Sequence, residues 1–173
     1  MYEVRLEPGI MKYQYYPISK DDAAEFTEEH HRHSKPLKRH KFSIGGFVGG
    51  SQDMELVGLV TVNNCSSRWA RDATKDWTGI RLLNQGWTSD DWYGPNKTRI
   101  EVVRCVTKDG YPNLCSFLYS KAIKSCFAMG YEEVVTYTRK YESGTSLKAV
   151  GFKLHPWIEN PNVNTWIIER NKL

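Results

Sequence analysis

The chain has 173 residues, 40% hydrophobic and 13% aromatic, which is enough apolar material for one domain with a packed core and excludes a disordered chain. Lys and Arg number 24 against 20 Asp and Glu, a net charge of +4 that permits a nucleic-acid partner without arguing for one. No apolar run approaches the ~18 residues of a membrane span, and the opening MYEVRLEPGIMKYQ lacks the apolar centre of a secretion signal, so a cytoplasmic chain that enters no membrane is expected.

Residues 1–12 read as a lead-in. Tyr13 to Ile18 (YQYYPI) reads as a first strand, with Pro17 marking its end or a sheet edge. Ser19 is a candidate N-cap for a helix through about His31, with Asp21, Asp22 and Glu25 where the helix dipole favours acids. Ala23, Ala24 and Phe26 supply its apolar side. Then nine of the twelve residues from 30 to 41 are basic or His. A solvated basic loop is one reading. The other is functional: Lys35, Lys38, Arg39 and Lys41 form a positive rim for DNA or RNA, or His30 or His33 serves as a general base. His30, His31 and His33 sit too close in sequence to share one helix face, and no carboxylate partner is evident, so no metal is expected there.

Lys41 to Val48 and Leu56 to Val62 (LVGLVTV) read as an antiparallel hairpin closed by a Gly-Gly-Ser-Gln-Asp turn. The stretch 63–98 is an irregular insertion. Its Trp69, Trp77, Trp87, Trp92 and Tyr93, interleaved with Arg68, Arg71 and Arg81, would stack on bases or simply pack the insertion down.

The remainder is the most regular part. Arg99 to Thr107 (RIEVVRCVT) alternates as a half-buried strand does. Lys108 to Pro112 (KDGYP) is a turn, and Asn113 is a candidate N-cap. Leu114, Leu118, Ala122 and Cys126 then recur every four residues, which puts them on one helix face. Gly130 fits the C′ position of that helix. Glu133 to Thr138 (EVVTYT) is a second strand, Ser143 to Val150 a short helix closed by Gly151-Phe152, Lys153 to Ile158 a further segment, and Thr165 to Glu169 a last strand. A strand feeding a helix whose first amides are free is an anion site. The turn after Thr107 is therefore expected to hold the pyrophosphate of a nucleotide-like cofactor. Cys65, Cys105, Cys115 and Cys126 lack metal-ligand spacing and read as free thiols.

The order of these elements resembles the GNAT superfamily of acyl-CoA N-acyltransferases. The likeness rests on RIEVVRCVT, on LCSFLYSKAIKSCFAMGYEEVVTYT and on SLKAVGFK, and spans about residues 13–170. The segments HHRHSKP…HKFSIG, PNLCSFLY and VVTYT also resemble a phage-associated GNAT-like branch reminiscent of the Mom DNA-modification proteins, which alter adenine. The resemblance implies an α/β (α+β) fold in one domain, a mixed and largely antiparallel central sheet flanked by helices. It implies acetyl-CoA or another acyl-CoA as cofactor. In the family's cofactor turn, Gln/Arg-x-x-Gly-x-Gly/Ala, Gly110 takes the first position, Asn113 the first glycine and Cys115 the last small residue. Ser116 keeps the Ser/Thr that follows, and Leu114 lies between.

The resemblance further implies that the central strand splays from its neighbour, leaving a free N–H at Val103 to Cys105 to polarise a thioester carbonyl. The family's acid, a tyrosine four residues before the last helix's glycine, is Leu147 here, so Tyr137, Tyr141 or Tyr119 would substitute. Glu101 and Arg104 lie on the central strand at odd spacing and are expected on opposite faces, one of them lining the cleft. Glu101 is a candidate base; a cross-strand charge pair is the alternative.

Overall fold

The computed structural model describes residues 12–30, 40–50, 53–65, 98–155 and 162–170. The chain starts at an edge. Strand β1 (Gln14–Ile18) is the outermost strand of the sheet, where Pro17 is tolerated. Ser19 then caps helix α1 (Lys20–His30): its Oγ accepts the Asp22 N–H at 3.1 Å and its hydroxyl donates to the Asp22 carboxylate at 2.7 Å. Ala23 and Phe26 are buried, while Ala24 is half-buried.

Strands β2 (Phe42–Val48) and β3 (Glu55–Asn63) form the expected antiparallel hairpin. Strand β4 (Arg99–Thr107), helix α2 (Leu114–Ala128) and strand β5 (Glu133–Arg139) form the crossover unit. Helix α3 (Thr145–Ala149) follows, then β6 (Lys153–Leu154) and β7 (Val163–Glu169). The sheet order is β1-β2-β3-β4-β5-β7-β6. Only β4 and β5 pair in parallel among these strands, because α2 carries the chain back between them.

The sheet is covered on two faces. Leu114, Leu118, Ala122 and Cys126 of α2 are fully buried against Val60, Val62, Ile100, Val102 and Val134. Ala23 and Phe26 of α1 cover Leu59 and Val106 on the other face. Two strand glycines let α2 sit close: a Cβ at Gly46 would lie 3.0 Å from Leu114, and one at Gly58 would lie 2.9 Å from it. The helix ends in a Schellman motif. Gly130 adopts φ +92°, its N–H reaches the Phe127 carbonyl at 3.1 Å, and the Tyr131 N–H reaches that of Cys126 at 3.1 Å. The short helix differs from expectation. It starts two residues later, and Gly144 is its left-handed N-cap at φ +63° rather than a helical residue. Among the described residues no helix is long and apolar enough to cross a membrane.

Candidate functional site

The sheet opens in its middle. β4 and β5 pair from Arg99–Glu133 to Val102–Thr136 and no further, although both strands continue. On its other side β4 carries a bulge: Thr61 faces Arg104 and Val62 faces Val102, so Val103 has no partner on β3. Val103 is thus the residue at which both neighbours let go. A cavity of about 480 Å³ fills the gap, lined by Val103, Arg104, Cys105, Tyr119, Tyr137 and Glu142 among others. This is where the resemblance placed a splayed strand.

The bulge corrects one expectation. Arg104 and Glu101 stand opposite Thr61 and Asn63, two residues apart on an unbulged stretch of β3, and therefore share a face. They do not point apart. That face is the one turned away from α2. Cys105 stands opposite Val60 and faces α2, as do Ile100 and Val102. On β5, Thr136 is on the α2 side, while Tyr137 and Arg139 alternate to the other. The cavity therefore has an α2 side (Cys105, Tyr119, Thr136) and an opposite side (Arg104, Tyr137, Arg139). Glu101 is 4% exposed and is absent from the cavity wall; it lies beside Cys65, whose thiol burial and the Glu101 charge push up to about 12. A base role for Glu101 is not supported by this placement.

The start of α2 faces a second cavity, of about 270 Å³, closed by Thr145, Ser146 and Ala149 of α3. Asn113 precedes the helix in the left-handed conformation, φ +60° and ψ +5°, with no capping bond from its side chain. It is the one non-glycine residue with positive φ among the described residues. Asn is the side chain that best tolerates that region, so it supplies the turn a glycine supplies in the family pattern. The Leu114 N–H leans on the Tyr111 carbonyl at 3.4 Å and the Phe117 N–H on that of Asn113 at 2.9 Å. The amides of Cys115 and Ser116 have no acceptor among the described residues, and both residues line the cavity. Two free N–H groups at a helix N-terminus fit a diphosphate. Leu114 contributes only backbone here, because its side chain is fully buried. Gly110 does not line the cavity; it turns the chain at φ +89°.

The two cavities meet at a pair of thiols. Cys115 Sγ lies 3.6 Å from Thr107 Oγ1, and the Cys105 thiol hydrogen-bonds Cys115. That bond brings the Cys115 thiol down to about 6, against the effect of burial, and the same contact raises Cys105 well above the usual thiol range. Cys115 is therefore the most readily ionised of the four thiols. Iodoacetamide at neutral pH should label it well ahead of Cys65 and Cys126, both pushed up to about 12 by burial, and a bound polyanion at the α2 terminus should slow that labelling. Peptide mass mapping reads this, and equal labelling of the three would contradict it. Tyr119 is half-buried against this pair; desolvation, then the charges of Cys105 and Cys115, raise its phenol well above the ordinary range, and Thr136 partners it. It stays protonated at neutral pH.

The remaining candidates divide. Tyr137 lines the central cavity from the side away from α2; Tyr141 is 77% exposed and Leu147 is core. Tyr119 is the tyrosine on the α2 side. His30 stacks on Phe26 at 4.4 Å and approaches Glu29 at 3.4 Å, and it lines neither cavity. Lys41 Nζ donates to Asn64 at 3.1 Å. His33, Lys35, Lys38, Arg39, Arg68 and Arg71 lie outside the described residues. Glu142 lines the central cavity and escaped the sequence reading; its carboxylate accepts the Arg139 N–H at 2.6 Å. Its only signal is that it follows the second strand of the crossover unit by a few residues.

A sheet split between a bulged strand and its parallel neighbour, with a helix N-terminus at the mouth, defines the fold of the GNAT acetyltransferases, and this chain has that fold. Similar solved structures include an IAA acetyltransferase from Bacillus cereus, with TM-score 0.59, 10% identity, 91% of this chain and 99% of that one. Arabidopsis thaliana NAA60 in complex with acetyl-CoA has TM-score 0.59 and 11% identity over 92% of this chain and 99% of that one. The ribosomal-protein-S18-alanine N-acetyltransferase of Escherichia coli has TM-score 0.55 and 7% identity over 91% and 94%. No protein-family model matches the chain, and no curated protein matches it.

Proposed function

We propose that this protein is a cytoplasmic N-acyltransferase that uses acetyl-CoA or another acyl-CoA. The observation that carries the reading is the alignment of the two cavities along one strand. Free amides at Cys115 and Ser116 lie at one end, and Val103, unpaired on both sides, lies at the other. The intervening strand, Val103 to Thr107, spans about 13 Å. The amides of Cys115 and Ser116 would hold the diphosphate of the cofactor, which supplies an acyl group activated as a thioester. The backbone N–H at Val103 would polarise the thioester carbonyl of a bound cofactor. Tyr119 keeps its proton on the α2 side, where a leaving sulfur needs one. The acceptor amine enters from the side of Arg104, Tyr137 and Arg139, and Glu142 stands on that cavity's wall to take its proton.

Titration calorimetry with acetyl-CoA tests this. Saturable binding is expected, and it should weaken when Ser116→Pro removes one of the two amides. No heat at millimolar cofactor would end the reading.

The acceptor we propose is an amine of a nucleic-acid base, in phage DNA modification. What supports it is the basic run at 30–41, the Trp- and Arg-rich insertion at 63–98, and the likeness of HHRHSKP…HKFSIG, PNLCSFLY and VVTYT to the Mom branch. Neutralising Lys35, Lys38, Arg39 and Lys41 together should weaken DNA or RNA binding and flatten its dependence on salt. Unchanged binding would remove this acceptor and leave an amine of a protein or small molecule.

A further inference from the structure

The wall of the central cavity carries an arginine with one buried donor unpaired. Arg104 sits on its wall, on the side away from α2, at the residue after the unpaired Val103. One end of the guanidinium donates to the Val103 carbonyl at 2.8 Å. Its Nε is shut off from solvent and has no hydrogen-bond partner. Burial lowers the Arg104 pKa, and the Glu101 charge only partly offsets this. Glu101 is itself buried and is not among the residues that line the cavity. Arg139, from β5, adds a second cation on the same side of the same cavity. Glu142 is the one carboxylate lining it among the described residues, and it already accepts the Arg139 backbone N–H at 2.6 Å.

A half-buried guanidinium with one donor shut off from water and unpaired is costly, and a ligand oxyanion on its open side would offset that cost. The planar fork of arginine matches the two oxygens of a carboxylate or a phosphate. The position restricts which part of a reaction that oxyanion belongs to. Arg104 does not face α2 and the proposed cofactor channel; it faces the side from which an acceptor arrives.

We propose that Arg104 recognises an oxyanion on the acceptor, so that the substrate is an amine carrying a carboxylate or a phosphate close to its nitrogen. This rests on the acyl-transfer reading only for the word acceptor; the anion site itself does not need it. Two chemical sources share this recognition, an amino acid and a nucleotide.

Equilibrium binding to the full chain, without cofactor, tests the proposal. The probes are two pairs differing in one anionic group: serine against serinamide, and deoxyadenosine monophosphate against deoxyadenosine. The anionic member of at least one pair should bind about tenfold or more tightly, in keeping with a charge-assisted bidentate contact. A preference confined to the first pair identifies an amino-acid acceptor. One confined to the second identifies a nucleotide. Arg104→Met should erase the preference and Arg104→Lys should restore part of it, with thermal melting showing that both variants fold. Arg139→Met should reduce it less, because Arg139 is exposed. The proposal is overturned if neither anion is preferred, or if the preference survives Arg104→Met. A retained preference in a protein that shows no heat with acetyl-CoA would sink the acyl-transfer reading and leave the anion site standing.

Discussion

Asn113→Ile should cost the protein its acetyl-CoA binding while Asn113→Gly should not. Asn113 holds φ +60°, and its side chain makes no capping bond, so what it contributes is a backbone conformation. A left-handed residue costs an ordinary L side chain roughly 1–2 kcal/mol, and a β-branched one is the worst suited of all. Isoleucine would escape by moving toward negative φ. That swings the peptide planes of the first helical turn, Leu114 to Ser116, which carries the Cys115 and Ser116 amides that have no acceptor among the described residues. A loss of about 1.4 kcal/mol is already tenfold in affinity, so a tenfold or greater weakening is expected by calorimetry. Glycine keeps the conformation and removes only a side chain that bonds to nothing at the cap, so its affinity should stay within a few-fold of the parent. If isoleucine binds cofactor as well as asparagine does, the α2 terminus is not the site.

That comparison also shows what a sequence can disclose. The substitution of Asn for a family glycine looks like a defect in the pattern, yet Asn is the side chain able to stand in for glycine at positive φ. The structure shows it doing so. The stripe Leu114, Leu118, Ala122, Cys126 was legible for the same kind of reason. It is a local period, and all four side chains are fully buried. The Schellman glycine and the Ser19 cap are local too. The bulge at Val103 was not legible. Nothing in RIEVVRCVT marks it, because a bulge is a property of pairing, fixed by how Thr61 and Val62 of a distant strand line up with Arg104 and Val102. Odd spacing was therefore misread as opposite faces. Glu101 went into a buried polar cluster, and Arg104 reached the cavity. Glu142 was missed because its place depends on where β5 ends relative to β4. Gly144 was placed inside the short helix. Its actual position outside it is set by Trp166, twenty-two residues later in sequence.

Gly144→Ala should be among the most damaging single-methyl changes in the molecule, and Gly110→Ala should measure how much of that damage is packing. Both glycines have positive φ, +63° and +89°. Both therefore incur the left-handed cost of roughly 1–2 kcal/mol when a Cβ is added. They differ in what the methyl meets. At Gly110 there is nothing within 4 Å. At Gly144 the Cβ would stand 3.0 Å from Trp166 Cε2 and closer still to Cζ2 and Cη2. Trp166 cannot easily yield. It is 1% exposed, belongs to the main core with Leu118 and Leu147, and its Nε1 donates to Thr138 Oγ1 at 2.9 Å. Forcing a methyl into such packing adds about 1–3 kcal/mol, for a total of roughly 2–5 kcal/mol. In a chain of this size each kcal/mol moves the melting temperature by about 2–4 °C. A drop on the order of 5–15 °C is expected for Gly144→Ala, and less than half of it for Gly110→Ala. The damage should also reach function. Gly144 launches α3, whose Thr145, Ser146 and Ala149 wall the cavity at the start of α2. The same variant should therefore weaken acetyl-CoA binding below its melting transition, whereas Gly110→Ala, off the cavity wall, should disturb it less. Equal melting shifts in the two variants would mean that the ring of Trp166 is not held where the structure puts it, and the cavity wall that depends on it would lose its support.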